Sequence, residues 1–137
     1  GTLKQAAKAL GIADRVTFTG ALTHAQAMQE LARSTIFCLA SWDEAFGVAY
    51  AEAMSFGIPV IGCKGEGIAD VVTDRVDGLL VESRNEGELE RALLYLIENP
   101  DEAERIGRNG RERIRDLRPE SFGRKLAAIY EEIMATV

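Results

Sequence analysis

Between Ala45 and Cys63 the chain carries one charged residue, Glu52, in a stretch that otherwise holds Val48, Ala49, Tyr50, Ala51, Ala53, Met54 and Phe56. On a helix its i−4 and i+4 neighbours are Val48 and Phe56, so the carboxylate falls within an apolar face. Burying an unpaired carboxylate costs several kcal/mol. Something must meet it, and the residues leave two readings open: an acid that grips a ligand, or one at an open rim or paired with a buried arginine. Glu44 stands eight positions earlier, with Phe46 and Gly47 between it and the helix. The first turn of that helix, Gly47-Val48-Ala49, offers backbone N–H groups at a positive dipole end, a natural seat for phosphate. Two carboxylates beside a phosphate repel it unless they aim at other groups. Hydroxyls suit them, because an ionised carboxylate accepts two hydrogen bonds from a vicinal diol. A phosphate flanked by two sugars is the layout of a sugar nucleotide. The plainer role for Glu44 is to stabilise a helix N-terminus, worth about 0.3–1 kcal/mol at a surface.

The elements that must position these groups alternate between short β-rich runs and helical patterns. A helix ending near Leu10 is stopped by Gly11, and Val16-Thr17-Phe18-Thr19 reads as a strand closed by Gly20. Thr23 is a good N-cap for a helix with apolar Ala27, Met28, Leu31 and Ala32, and Ile36 to Ala40 reads as a covered parallel strand. The Gly47–Phe56 helix is capped by Gly57, Pro59 starts the strand Val60-Ile61, a short helix spans Ile68 to Val72, and Gly78 opens the strand Leu79-Leu80-Val81. Beyond residue 82 the pattern is helical. Asn85 with Glu88 and Asn99 with Glu102 resemble capping boxes, Pro100 takes a first helical position, and a last helix runs from about Pro119. The connections are too long for hairpins and contain helices. An α/β fold with a doubly wound, Rossmann-like parallel sheet follows, with ligands expected outside the carboxyl ends of its strands.

The chain has 137 residues, 47% apolar and 28% charged, enough for one domain with a core. Its net charge of −6 argues against nucleic-acid binding. No apolar run approaches a membrane-spanning length and no secretory signal opens the chain, so a cytoplasmic location is expected. Cys38 and Cys63 lie inside apolar segments and are read as reduced, buried thiols; neither a disulfide nor a metal site is expected. His24, beside the cap, is read as a surface residue. From Arg105 to Lys125 the chain is locally basic; a solvated helix with i,i+4 pairs is the favoured reading, and contact with anionic lipid head groups the other.

The stretch from Glu44 through Glu52 to Ile61 resembles the E-x7-E signature of retaining GT-B glycosyltransferases, a family that includes sucrose synthases and many bacterial sugar transferases. The spacing, Phe46-Gly47 after the first Glu, Ala53-Met54 after the second and the Gly57-Ile58-Pro59-Val60-Ile61 exit all agree. The likeness continues through Asp14–Gly20, Gly67–Val72 and Asp77–Val81. It implies that Glu52 holds the donor's ribose hydroxyls and that Glu44, the catalytic-site acid, holds hydroxyls of the transferred hexose with the N–H groups of Phe46 and Gly47. The N–H groups of Val48 and Ala49 would meet the diphosphate, and the turn at Gly67 would approach the donor. Here that turn carries Glu66 where the family has glycine.

The resemblance implies a UDP- or GDP-hexose as donor substrate, no metal or other cofactor, and transfer to a hydroxyl with retention; a non-catalytic nucleotide-sugar binding module is the alternative. It also implies that residues 1–137 form part of a C-terminal donor-binding domain, with strands and helices alternating over 1–82 and helices alone over 83–137. The acceptor-binding N-terminal domain and the family's first two strands would precede Gly1. The isolated chain is then expected to be inactive, the sheet edge left open admits dimerisation, and the parent enzyme could work at the cytoplasmic face of a membrane.

Overall fold

The computed structural model of the chain describes residues 2–39, 47–65 and 68–116. Three parallel strands, β1 (Phe37–Cys38), β2 (Val60–Cys63) and β3 (Leu79–Val81), stand in the order β1-β2-β3, with Phe37 opposite Val60 and Ile61 opposite Leu79. The helices are α1 (Thr2–Ala9), α2 (His24–Ala32), α3 (Gly47–Ser55), α4 (Ile68–Val71), α5 (Glu86–Glu98) and α6 (Pro100–Asp116).

Side-chain alternation sorts the strands between two cores. Val60, with Phe37, Leu39 and Leu80, faces Tyr50, Ala51 and Met54 of α3, Ile68 of α4 and Ile114 of α6. Ile61, Leu79 and Val81, with Ile36, face Leu96 of α5 and Ile106 of α6. Helices cover both faces, as the continuous apolar runs require. Two glycines let them approach. A Cβ on Gly62 would stand 2.7 Å from an Ile68 methyl, and one on Gly78 2.7 Å from a Val72 methyl.

Helix α6 contributes Ile106 to one core and Ile114 to the other, so it crosses from one face of the sheet to the other. It does so at the amino ends of the strands, where Gly107 lies against the Gly57 carbonyl just before β2 and Gly110 against the Asp77 carbonyl just before β3. Arg105 Nη2, Asn109 Nδ2 and Arg113 Nε, four residues apart, donate to the carbonyls of Arg75 (3.1 Å), Val76 (2.8 Å) and Val71 (3.0 Å). Val71 is the last residue of α4, where a cation also meets the negative end of the helix dipole.

Local signals hold at several termini. Thr23 Oγ1 accepts from Gln26 N while Gln26 Oε1 accepts from Thr23 N, a complete capping box. Asn85 Oδ1 accepts from Glu88 N at the start of α5, and α6 begins at Pro100. The second expected box differs. Asn99 Nδ2 donates back to the Tyr95 carbonyl at the end of α5, and Glu102 takes the Tyr95 hydroxyl and the Arg105 guanidinium. The Arg105 hydrogen bond holds the Glu102 carboxyl below its ordinary pKa.

Two expectations are corrected. Val16–Thr19 is not a strand: Val16 has extended dihedrals, yet the segment pairs with no strand among the described residues, and Val16 and Phe18 are exposed. A strand exists only through its ladder, so β propensity without a neighbour leaves extended coil. Cys38 is exposed rather than buried, because among the described residues β1 has β2 as its one strand neighbour; Cys63, on β2 between two strands, is buried. Desolvation of the Cys38 thiol and the neighbouring Cys63 raise its pKa above the ordinary value. Because the thiolate is the nucleophile, iodoacetamide should label Cys38 more slowly at pH 8 than an unperturbed cysteine peptide, with the rate still rising above pH 9. A rate that levels off below pH 8.5 would show the thiol is not raised.

Candidate functional site

Helix α3 follows the carboxyl end of β1 and returns antiparallel to the sheet, so its first turn, Gly47-Val48-Ala49, lies on the carboxyl side of the strands. Its N–H groups have no carbonyls of the same helix to bond. Tyr50 anchors this turn: its hydroxyl donates to the Leu39 carbonyl at the end of β1, and its ring meets Phe37 edge-on with centroids 5.4 Å apart. Ala53 and Met54, three and four residues further on, bury the same face of the helix in the core.

Glu52 lies in the second turn of α3 and is 7% exposed. Its Oε2 is 2.9 Å from Nε2 of His24, the first residue of α2. The partner is unlike the buried arginine that the sequence left open: the His24 side chain is 67% exposed, against 9% for Glu52. The pair therefore spans the boundary between core and solvent. A short connection joins the end of α2 to the start of β1, so α2 also runs back along the sheet and its first turn shares the carboxyl side with that of α3. Sequence reasoning was right that His24 lies at the surface and missed its contact, 28 residues away along the chain.

Of the other residues singled out, Glu44, Phe46 and Gly67 lie outside the described residues, as does the helix expected from Pro119. Gly47, Val48 and Ala49 form the first turn of α3 as expected. Among the described residues no three His, Cys, Asp or Glu side chains gather as a metal site would require, and no helix is long and apolar enough to cross a membrane. Among the described residues of the Arg-rich segment, ion pairs form at i,i+3, through Glu102–Arg105 and Glu112–Arg115. Arg105 and Arg113 bind the carbonyls of Arg75 and Val71 at the end of the sheet opposite α3's first turn. A separate cleft of about 160 Å³ runs along β3 against α5, with the Arg75 guanidinium 5.2 Å above the Tyr95 ring. It contains none of the residues discussed for sugar-nucleotide binding.

A parallel sheet whose helix N-termini converge at one end suits phosphate-bearing ligands. A family profile described as "Glycosyl transferases group 1" matches residues 1–113, which include every element of the two cores except the last residues of α6. The chain belongs to the group 1 glycosyl transferases. Among curated relatives it is 31% identical over 130 residues to an MMP alpha-(1->4)-mannosyltransferase of Mycolicibacterium hassiacum, covering 93% of this chain and 32% of that one. It is also 31% identical over 118 residues to the GDP-mannose-dependent alpha-(1-6)-phosphatidylinositol monomannoside mannosyltransferase of Mycobacterium tuberculosis, covering 81% of this chain and 31% of that one. The chain thus spans about a third of the length of these relatives.

Among solved structures it resembles sucrose-phosphate synthase from Thermosynechococcus elongatus, with a TM-score of 0.77 at 28% identity over 98% of this chain and 34% of that one. Anabaena HepE in complex with UDP superposes with a TM-score of 0.75 at 27% identity, over 98% of this chain and 35% of that one. The α/β architecture of this glycosyl transferase chain is that of the C-terminal domain of GT-B glycosyltransferases.

Proposed function

We propose that this chain is the donor-binding part of a retaining GT-B glycosyltransferase that moves a hexose from a nucleotide-diphosphate sugar to a hydroxyl. The observation that carries the reading is Glu52: a carboxylate almost wholly removed from water, one oxygen within hydrogen-bond distance of an exposed histidine, on a helix whose first-turn N–H groups have no carbonyls of the same helix to bond. In this reading Glu52 accepts the ribose hydroxyls, the first turn of α3 with Val48 and Ala49 receives the diphosphate, and Glu44 with Phe46 and Gly47 holds the hexose. Gly67 approaches the donor from the neighbouring turn, and no metal takes part.

Retention fits a reaction in which the donor's own phosphate oxygen takes the acceptor proton on the face that the leaving group vacates, so no protein base is assigned. UDP in HepE and GDP-mannose in the M. tuberculosis relative mark the two donor classes to try. The acceptor site belongs to polypeptide outside this chain, which spans about a third of its relatives.

Calorimetric titration with UDP and GDP tests the reading. Glu52→Gln should weaken the better ligand by about 1.5 kcal/mol, near tenfold, since the bond lost is to a charged acceptor. Binding is expected without sugar transfer by the 137-residue chain alone. An affinity unchanged by the substitution would remove Glu52 from the site, and measured turnover by this chain would place the acceptor site within it.

A further inference from the structure

The Glu52 carboxylate raises a question of orientation that the ribose-binding role does not answer. A carboxylate on a helix side chain turns about three torsions, and a diol is recognised only when one oxygen is presented to it at hydrogen-bond distance. Among the described residues the side-chain polar atom that reaches Glu52 is His24 Nε2, at 2.9 Å from Oε2. Several features hold that nitrogen still. His24 is the first residue of α2, directly after a cap in which Thr23 and Gln26 bond each other's backbone N–H groups at 2.9 and 3.1 Å. Helices α2 and α3 pack together, and Leu31 of α2 joins the core formed by Tyr50 and Met54. The imidazole thus reaches Glu52 from a fixed backbone, while most of its own surface faces solvent.

We propose that His24 is a positioning residue for Glu52: its Nε2–H holds Oε2, turns Oε1 toward the ligand, and so sets the preference for a ribose over a sugar without the diol. The inference rests on the reading of Glu52 as the ribose acceptor. His24 touches no reacting atom in it. Its contribution is to leave the carboxylate one remaining oxygen in one orientation.

The test uses the full chain, with UDP, GDP and their 2′,3′-dideoxy counterparts as probes in calorimetry, and with thermal melts to show that each variant folds. In the wild type the ribonucleotide should bind about tenfold more tightly than its dideoxy form, and Glu52→Gln should abolish that ratio. His24→Leu should lower the ratio about fivefold while leaving dideoxy affinity unchanged, and His24→Gln, whose amide can replace the Nε2 donor, should restore it. His24 is the chain's one histidine, so the ring Hε1 gives a single histidine NMR signal. That signal should move on saturation with the ribonucleotide and stay in place with the dideoxy form.

A ratio that Glu52→Gln abolishes but His24→Leu leaves intact overturns the role of His24 alone. A wild type that binds neither nucleotide, or binds both sugar forms equally, overturns the Glu52 reading and the inference with it. A fall in affinity that is the same for both sugar forms in His24→Leu also counts against the proposal, since a merely structural role predicts that result.

Discussion

Met54→Ala is expected to lower the unfolding free energy by about 3 kcal/mol, the middle of the range for truncating a fully buried Met. Met54 is 1% exposed and lies where α3 meets α6; a Cβ on Gly110 would stand 3.6 Å from its Cε and 3.7 Å from its Cγ. The space left behind is bounded on one side by Gly110, which has no side chain to swing inward, and on the other by the Val60 strand. Collapse around it is therefore limited, which favours a large cost. Urea unfolding followed by circular dichroism gives the number. A loss under about 1 kcal/mol would mean that α6 moves in to fill the gap. Because Met54 and Glu52 lie on the same helix, the variant should also weaken nucleotide binding, through displacement of α3 rather than through any contact with ligand.

Gly107→Ala should cost about 2 kcal/mol, and the sign is the informative part. Replacing glycine inside a helix normally gains about 0.5–1 kcal/mol by restricting the unfolded chain. At Gly107 the added Cβ would stand 2.1 Å from the Gly57 carbonyl oxygen, 3.0 Å from the Gly57 carbonyl carbon and 3.2 Å from Pro59 Cδ. Two of these are backbone atoms in a turn where Gly57 has φ of +76°, and Pro59 is rigid, so none can swing aside as a side chain would. Forcing α6 away costs about 3 kcal/mol, more than the helical gain. Gly87→Ala in α5 is the matched control. Its nearest neighbour is the flexible Arg91 Nη1 at 3.4 Å, and it should stabilise by about 0.5 kcal/mol. A Gly107→Ala variant that stabilises as the Gly87 control does would show that the contact between α6 and the Gly57 turn does not hold in solution.

The contact of Gly107 with the Gly57 turn lies at the amino ends of the strands, away from the first turn of α3, and this bears on the basic residues of α6. Arg105 and Arg113 donate to the carbonyls of Arg75 and Val71, in a turn and at a helix end where carbonyls lose their intrahelical donors. Their charge serves to dock α6 across the amino ends of the strands. The diphosphate seat proposed here is at the other end, in the first turn of α3.

What could be read from residue order concerns contacts that are close along the chain or patterns that repeat. The Thr23 and Asn85 caps, the Pro100 start of α6 and the strand Leu79–Val81 all appear where the residue types put them, because each depends on atoms within four positions or on simple alternation. The carboxylate of Glu52 within an apolar helix face was legible in the same way. The extended run at Val16 was not, since its own residues favour a strand while the ladder that would make it one must come from elsewhere. The Asn99 side chain likewise had two backbone groups within reach and took the carbonyl behind it rather than the N–H ahead.

The amino-acid order alone established the family likeness, the alternation of strands and helices, and which acid among the apolar residues could serve a ligand. Only the folded chain decided who meets that acid. His24 and Glu52 are 28 residues apart and belong to different helices, and nothing in either local pattern links them. They meet because α2 and α3 both return from the sheet on the same side and pack together, bringing an exposed imidazole against a nearly buried carboxylate.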